Sequence, residues 1–142
     1  MIVKEAMTPN AEGIQSDATV LKAAQEMTRL NVGALPVFNG DKPAGIVTDR
    51  DVVTRALGLQ LNPAHTSVGE IMTKQLLTCN ENTSLEEAAA MMRDNKVRRL
   101  IVEDDKEMVT GIITLGDIAV HSDAHLSGEV LQGVSEPARP SR

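Results

Sequence analysis

The sequence predicts an α/β fold of two β-α-β-β-α repeats packed with pseudo-two-fold symmetry. Three observations carry that expectation. A seven-residue signature occurs twice, as Gly45-Ile46-Val47-Thr48-Asp49-Arg50-Asp51 and as Gly111-Ile112-Ile113-Thr114-Leu115-Gly116-Asp117. Upstream of it Val3, Glu5, Met7, Thr8, Ala23, Ala24, Met27, Val32, Leu35 and Val37 each recur 65 positions later, and past the following turn the offset is 66. One residue inserted in a turn leaves the flanking elements in register, so the chain is a duplicated structural unit. Within each copy, apolar stripes of helical spacing alternate with short apolar runs suited to strands.

The elements follow in order. Gly13-Ile14-Gln15 is a short extended piece. Asp17 to Thr19 offer N-caps for a helix whose stripe is Val20, Ala23, Ala24, Met27 and Leu30. Ala34 to Phe38 read as a strand, with Pro36 arguing for an edge or irregular position. Asn39-Gly40-Asp41-Lys42 is a turn, Ala44 to Val47 the returning strand, and Asp51 to Leu57 a helix that Gly58 ends. In the second copy, Thr83 and Glu86 suggest a capping box ahead of Leu85, Ala88, Ala89 and Met92. Leu100 to Val102 and Val109 to Ile113 form its strand pair. The expected boundaries are 1–67 for the first repeat with its connection, 68–125 for the second, and 126–142 for a C-terminal helix and tail. Leu126, Val130 and Leu131 would lie in that last helix.

Composition narrows the function classes. The chain has 142 residues, enough for one compact domain or two small ones, and 42% are hydrophobic. Phe38 is the only aromatic side chain of the Phe, Trp and Tyr group. Stacking platforms for single-stranded nucleic acid are therefore unavailable. A net charge of -6 also opposes a phosphate-backbone partner. The lone Cys79 excludes an internal disulfide. No apolar run approaches the ~20 residues of a membrane span, and the charged N-terminal segment is unlike a secretory signal. A cytoplasmic protein without membrane or nucleic-acid partners is expected.

The signature places an apolar strand directly before a helix, with Thr48 or Thr114 as N-cap. Helix starts present unpaired N–H donors that suit phosphate or other anions. Asp51 and Asp117 fall in the first turn, where a carboxylate can accept hydrogen bonds from a diol. The same Thr-x-x-Asp spacing is also close to a capping box that merely satisfies backbone donors, and duplication would copy such a cap as readily as a site.

Taken in order, three motifs resemble the CBS domain in a tandem pair, the Bateman module. They are the Met7-Thr8 and Met72-Thr73 starts, the Val32–Val37 and Val97–Val102 segments, and the two signatures. The resemblance covers approximately Val3 to Ser122 and extends to small stand-alone two-domain bacterial proteins of the hypoxic-response type. It implies a non-catalytic regulatory module that binds adenosyl ligands (AMP, ADP, ATP, NAD or S-adenosylmethionine) in clefts between the repeats. The nucleotide would be a regulatory ligand, not a cofactor. By resemblance, Asp51 and Asp117 take ribose hydroxyls, with Thr48 and Thr114 near ribose or phosphate. The start of the opposite repeat contributes as well: Thr73, Leu77 and Thr78 to the Asp51 site, and Thr8, Gly13 and Ile14 to the Asp117 site. Arg50 lies inside the first signature, where Gly33-Ala34 precede Leu35. In the second, Gly116 replaces that arginine but Arg98-Arg99 precede Leu100. Arginine is the natural phosphate partner through its two-pronged donor fork; the competing reading of Arg98 and Arg99 is surface pairing with Glu103 or Asp104.

The family arrangement also implies a homodimer through helices, supported by Val52, Val53, Ala56, Leu57, Ile118 and Ala119, and an unknown effector protein. His121-x-Asp123-x-His125 has partial metal-ligand spacing without a third strong ligand, so no metal site is expected. Cys79 reads as a small core residue, since no resolving cysteine exists. No catalytic Ser/His/Asp or Cys/His arrangement emerges. The alternative to a sensor is an interaction module whose nucleotide sites are empty or degenerate.

Overall fold

A computed structural model describes residues 1–9, 12–74, 77–121 and 132–133. The chain forms two compact units, Ala11–Leu76 and Met1–Asn10 with Leu77–Arg142. The units and the sequence repeats are different divisions of the chain. The first ten residues belong with the second signature, and residues 68–76 belong with the first.

Helix α1 (Val3–Ala6) and strand β1 (Thr8–Pro9) open the chain in the second unit. The first unit then runs β2 (Ile14–Gln15), α2 (Val20–Leu30), β3 (Ala34–Asn39), β4 (Lys42–Thr48), α3 (Asp49–Asp51) and α4 (Val68–Ile71). Thr19 caps α2, its hydroxyl accepting the Lys22 N–H at 3.1 Å. The connection after Gly58 folds back on the same helix: Thr66 and Pro63 carbonyls accept the Val20 and Leu21 N–H groups at 2.9 and 3.0 Å. Donors that helix starts leave unpaired are thereby satisfied. Asn31 ends α2 in the left-handed region at φ 55, as Lys96 at φ 54 ends its counterpart.

The first sheet has the order β2-β3-β4, so β3 is central. That overturns an edge position for Pro36. The reason it is tolerated lies in the register. Pro36 stands opposite Ile46, and Ile46 turns both its N–H and its carbonyl away, to Thr73, at 3.0 and 2.8 Å. No β4 carbonyl awaits an N–H from Pro36, and β2 pairs only from Val37 onward. Gly40 makes the tight connection from β3 to β4 at φ 62. After α3 the helix widens into a π-helical segment, Val52–Leu57, ending at Gly58, whose N–H bonds the Val53 carbonyl at 2.7 Å.

The second unit adds β5 (Thr78–Asn80), α5 (Leu85–Asn95), β6 (Arg99–Glu103), β7 (Val109–Thr114) and α6 (Leu115–His121), with sheet order β1-β7-β6-β5. The cap of α5 is Ser84, which accepts the Glu87 N–H at 3.1 Å. This corrects the Thr83–Glu86 box by one residue. Thr83 is engaged otherwise, its carbonyl accepting the Val3 N–H at 2.8 Å. Helix α6 is an ordinary α-helix, without the π widening of its counterpart. Residues Leu126, Val130 and Leu131 lie outside the described residues.

Each unit has its own core. Val20, Ala23, Met27, Leu35, Val37, Val47, Val68 and Ile71 build the first. Val3, Ala6, Leu85, Ala88, Ala89, Met92, Leu100, Val102 and Ile113 build the second. Two side chains expected on a dimer face are fully buried inside these cores, Ala56 in the first and Ile118 in the second. Val53, Leu57 and Ala119 remain exposed. Every side chain of Val52, Val53, Ala56 and Leu57 is apolar, so composition could not say which would turn inward.

Candidate functional site

Each signature begins at a glycine for a steric reason. A Cβ at Gly45 would collide with the carbonyl oxygen of Thr73 and crowd the Met72 sulfur. A Cβ at Gly111 would meet Thr8 and Met7 in the same way. The Met-Thr starts are therefore one half of the signatures' structure. Thr73 bridges Ile46, and Thr8 pairs with Ile112 in β1–β7. Each threonine is delivered beside the strand that ends in a signature's Thr and Asp.

At the end of β4, the Thr48 N–H donates to Asp51 Oδ2 at 3.0 Å and the Asp51 N–H donates to Thr48 Oγ1 at 3.1 Å. At the end of β7, Thr114 and Asp117 make the same pair at 2.9 and 3.1 Å. The capping box is thus real in both copies. It does not exhaust the carboxylates, because an ionised aspartate offers about four lone-pair sites on two oxygens. The cap engages Oδ2 and leaves Oδ1.

The two Oδ1 atoms have different surroundings. Asp51 is 5% exposed. Its Oδ1 lies 3.4 Å from the Thr73 hydroxyl, which is also 3.3 Å from Oδ2, and 3.7 Å from Arg55 Nε. Asp117 is half-buried. Among the described residues its carboxylate accepts only from Thr114, and Thr8 is exposed.

The residues before each Leu are placed by strand register. Ala34 stands opposite Thr48 and Arg99 opposite Thr114. Carbonyls of Gly33 and Arg98 receive the first N–H groups after the caps, from Asp49 at 2.9 Å and Leu115 at 2.8 Å. Since Leu100 and Ile113 enter the core, strand alternation puts Arg99 and Thr114 on the other face of the sheet. There the Arg99 Nε is buried with no hydrogen-bond partner among the described residues. Among the described residues no ion pair joins Arg99 to Glu103 or Asp104. A buried guanidinium donor without a partner is costly in a finished structure and is what an anion would satisfy. Arg50 is exposed on α3.

Gly13 and Ile14, which the resemblance assigns to the Asp117 site, belong to the unit that carries Asp51. Gly13 is fixed by Phe38, whose ring occupies the space of a Cβ. Leu77 and Thr78, assigned to the Asp51 site, belong to the unit that carries Asp117, where the Leu77 carbonyl accepts the Ile101 N–H at 3.1 Å. Arg55 was not foreseen as a site residue. Its spacing four positions beyond Asp51 was a legible signal, because such residues share a helix face.

Cys79 is buried, and burial, with the nearby Glu103 carboxylate adding to it, pushes its thiol up to about 11. It is a core residue. Among the described residues no group of three or more His, Cys, Asp or Glu side chains is arranged to hold a metal. Asp123 and His125 lie outside them. No helix among the described residues is long and apolar enough to cross a membrane.

Comparison with known proteins agrees with this architecture. The family model for the CBS domain matches residues 3–58 and again 68–123. The chain is 37% identical over 134 residues to the CBS domain-containing protein YhcV of Bacillus subtilis, covering 94% of both chains. It is 30% identical over 135 residues to hypoxic response protein 1 of Mycobacterium tuberculosis, again covering 94% of both. Among solved structures it resembles the CBS domain pair of protein MJ0100 in complex with 5-methylthioadenosine and S-adenosyl-L-methionine. That likeness has a TM-score of 0.75 and 26% identity, covering 85% of this chain and 94% of that one. It also resembles CBSX2 in complex with AMP, with a TM-score of 0.70 and 28% identity over 84% of this chain and 94% of that one. With a glycine, a Met-Thr start and a Thr–Asp cap recurring in both halves, and two family matches spanning them, the chain belongs to the CBS domain family.

Proposed function

We propose that this protein is a non-catalytic regulatory module that binds adenosyl ligands at its two signatures and reports a metabolite or energy state to an effector protein. One observation carries the reading: each signature aspartate gives its Oδ2 to the cap, which leaves Oδ1 as an acceptor suited to a ribose hydroxyl, beside Thr73 and Arg55 in the case of Asp51. The ligands of the MJ0100 pair and of CBSX2 share adenosine, and a ribose is the diol such a carboxylate suits. Thr48 and Thr114 stand beside the ribose or phosphate, with Arg50 serving the first site and Arg98 with Arg99 the second. Gly33 and Ala34 stand at the first, with the Asp49 carboxylate against Gly33. Within the units, Thr73 stands with the Asp51 site and Thr8 with the Asp117 site. Val53 and Leu57, 58% and 55% exposed, supply apolar surface for a homodimer.

A ligand selective for the folded state raises the melting temperature by mass action. The test is a thermal-shift panel of AMP, ATP, NAD and S-adenosylmethionine on the parent and on Asp51→Asn/Asp117→Asn. Asparagine keeps an oxygen for the cap while removing the charged acceptor. A shift in the parent that the double variant loses supports the reading. A parent that no adenosyl compound shifts supports the interaction module instead.

A further inference from the structure

Arg55 sits on the π-helical segment four residues beyond Asp51. Its Nε lies 3.7 Å from Asp51 Oδ1, and its Nη1 donates to the Met72 carbonyl at 3.3 Å. The guanidinium therefore spans from the signature carboxylate to the Met-Thr segment, over the oxygen that the cap leaves unused. Thr73 donates to the same carboxylate from that segment. The corresponding position in the second unit is His121, an exposed residue at the end of α6 that makes no ion pair with Asp117.

We propose that Arg55 is a latch on the first site, competing with a ligand's ribose hydroxyls for Asp51 and making the two sites unequal. The inference rests on the adenosyl reading. A diol that takes Oδ1 must displace Arg55 or share the oxygen with it. The second site has no such competitor among the described residues. Arg55 is a specificity-determining residue acting through Asp51, and its removal should strengthen binding, which a merely structural role would not do.

The experiment reads the first site alone, by calorimetry in an Asp117→Asn background. Adenosine is the discriminating probe, because it has no phosphate that the lost cation would otherwise attract; AMP is the second. Arg55→Met keeps the apolar stem and removes the charge, and Arg55→Ala removes both. Expected is about a twofold to fivefold tighter adenosine affinity in both variants, the worth of a half-exposed ion pair. Arg55→Lys should stay near the parent, and AMP should gain less than adenosine. Unchanged or weaker adenosine binding in Arg55→Met, with binding still abolished by Asp51→Asn, overturns the latch alone. Binding that survives Asp51→Asn overturns the ribose assignment. No binding of either probe to the parent overturns the adenosyl reading and the latch with it.

Discussion

Because Oδ2 of each signature aspartate holds the N–H of a threonine three residues earlier, replacing the aspartate touches stability as well as binding. Asp51→Ala and Asp117→Ala should each cost about 0.5–2 kcal/mol in urea unfolding, the range for losing a cap, and the Asn variants less. Charge placement makes a second prediction at this scale. Arg99 faces Thr114 across the strand pair, whereas Ala34 faces Thr48. The Asp117 site should prefer the more highly phosphorylated ligand, and Arg99→Ala should weaken ATP more than AMP. Equal losses for both ligands in Arg99→Ala and in Arg50→Ala would remove the asymmetry. Cys79 sets a third. Its thiol rises from 9.0 to about 11 on folding, so the native chain keeps a proton that the unfolded chain loses. The linked stability is fully present below pH 9 and falls as pH rises towards 11, by on the order of 2 kcal/mol. Denaturation across that window should show a shallower decline in Cys79→Ala than in the parent.

At the level of elements, the closest tolerances are at Gly45 and Gly111, where a strand meets a Met-Thr carbonyl. Gly45→Ala or Gly111→Ala forces backbone apart and should cost about 1–3 kcal/mol, read from chemical unfolding. Most of the elements around these glycines were legible in the sequence. Thr19 as a cap, the hairpin at Gly40 and the Thr48–Asp51 pair all follow from local rules that need only neighbouring residues. What escaped depended on partners distant in sequence. Pro36 lies in a central strand because Ile46 bonds Thr73 and asks nothing of it. Ser84 is the cap in place of Thr83 because α5 starts at Leu85, one residue later than the box implied, where the chain is pinned by the bond from the Val3 N–H to the Thr83 carbonyl. The π widening that carries Arg55 has no composition signal, since Val52 to Leu57 reads as any short helix. Of the candidate site, the Thr48–Asp51 and Thr114–Asp117 caps were legible from spacing, and Thr8 and Thr73 were named through the family resemblance. Arg55 was legible only in part: its four-residue spacing from Asp51 was a signal, but its bond to the Met72 carbonyl depends on where Met72 returns.

For the molecule as a whole, compact units and sequence repeats disagree about where to cut. A fragment of residues 11–76 contains the entire first core, including Val68 and Ile71, and the Thr73 bridge. A fragment of residues 1–67 loses Val68, Ile71 and Thr73 and carries α1 and β1 without their sheet. Far-UV circular dichroism should therefore show more helix, and a more cooperative melt, in 11–76 than in 1–67. Similar spectra for the two would mean the Met-Thr segments contribute little. The same exchange has an evolutionary reading. A lone ancestral repeat, with its Met-Thr arm and its glycine signature on one chain, would have its arm completing someone else's sheet. Such a repeat would complete its sheet only by trading arms with a second copy, a reciprocal swap of the kind that makes dimers at low cost. Two repeats on one chain make that encounter intramolecular, at an effective concentration on the order of millimolar. Two halves on one chain need not be identical, and these differ beside their caps: Arg55 stands at the carboxylate of one and Arg99 across from the cap of the other.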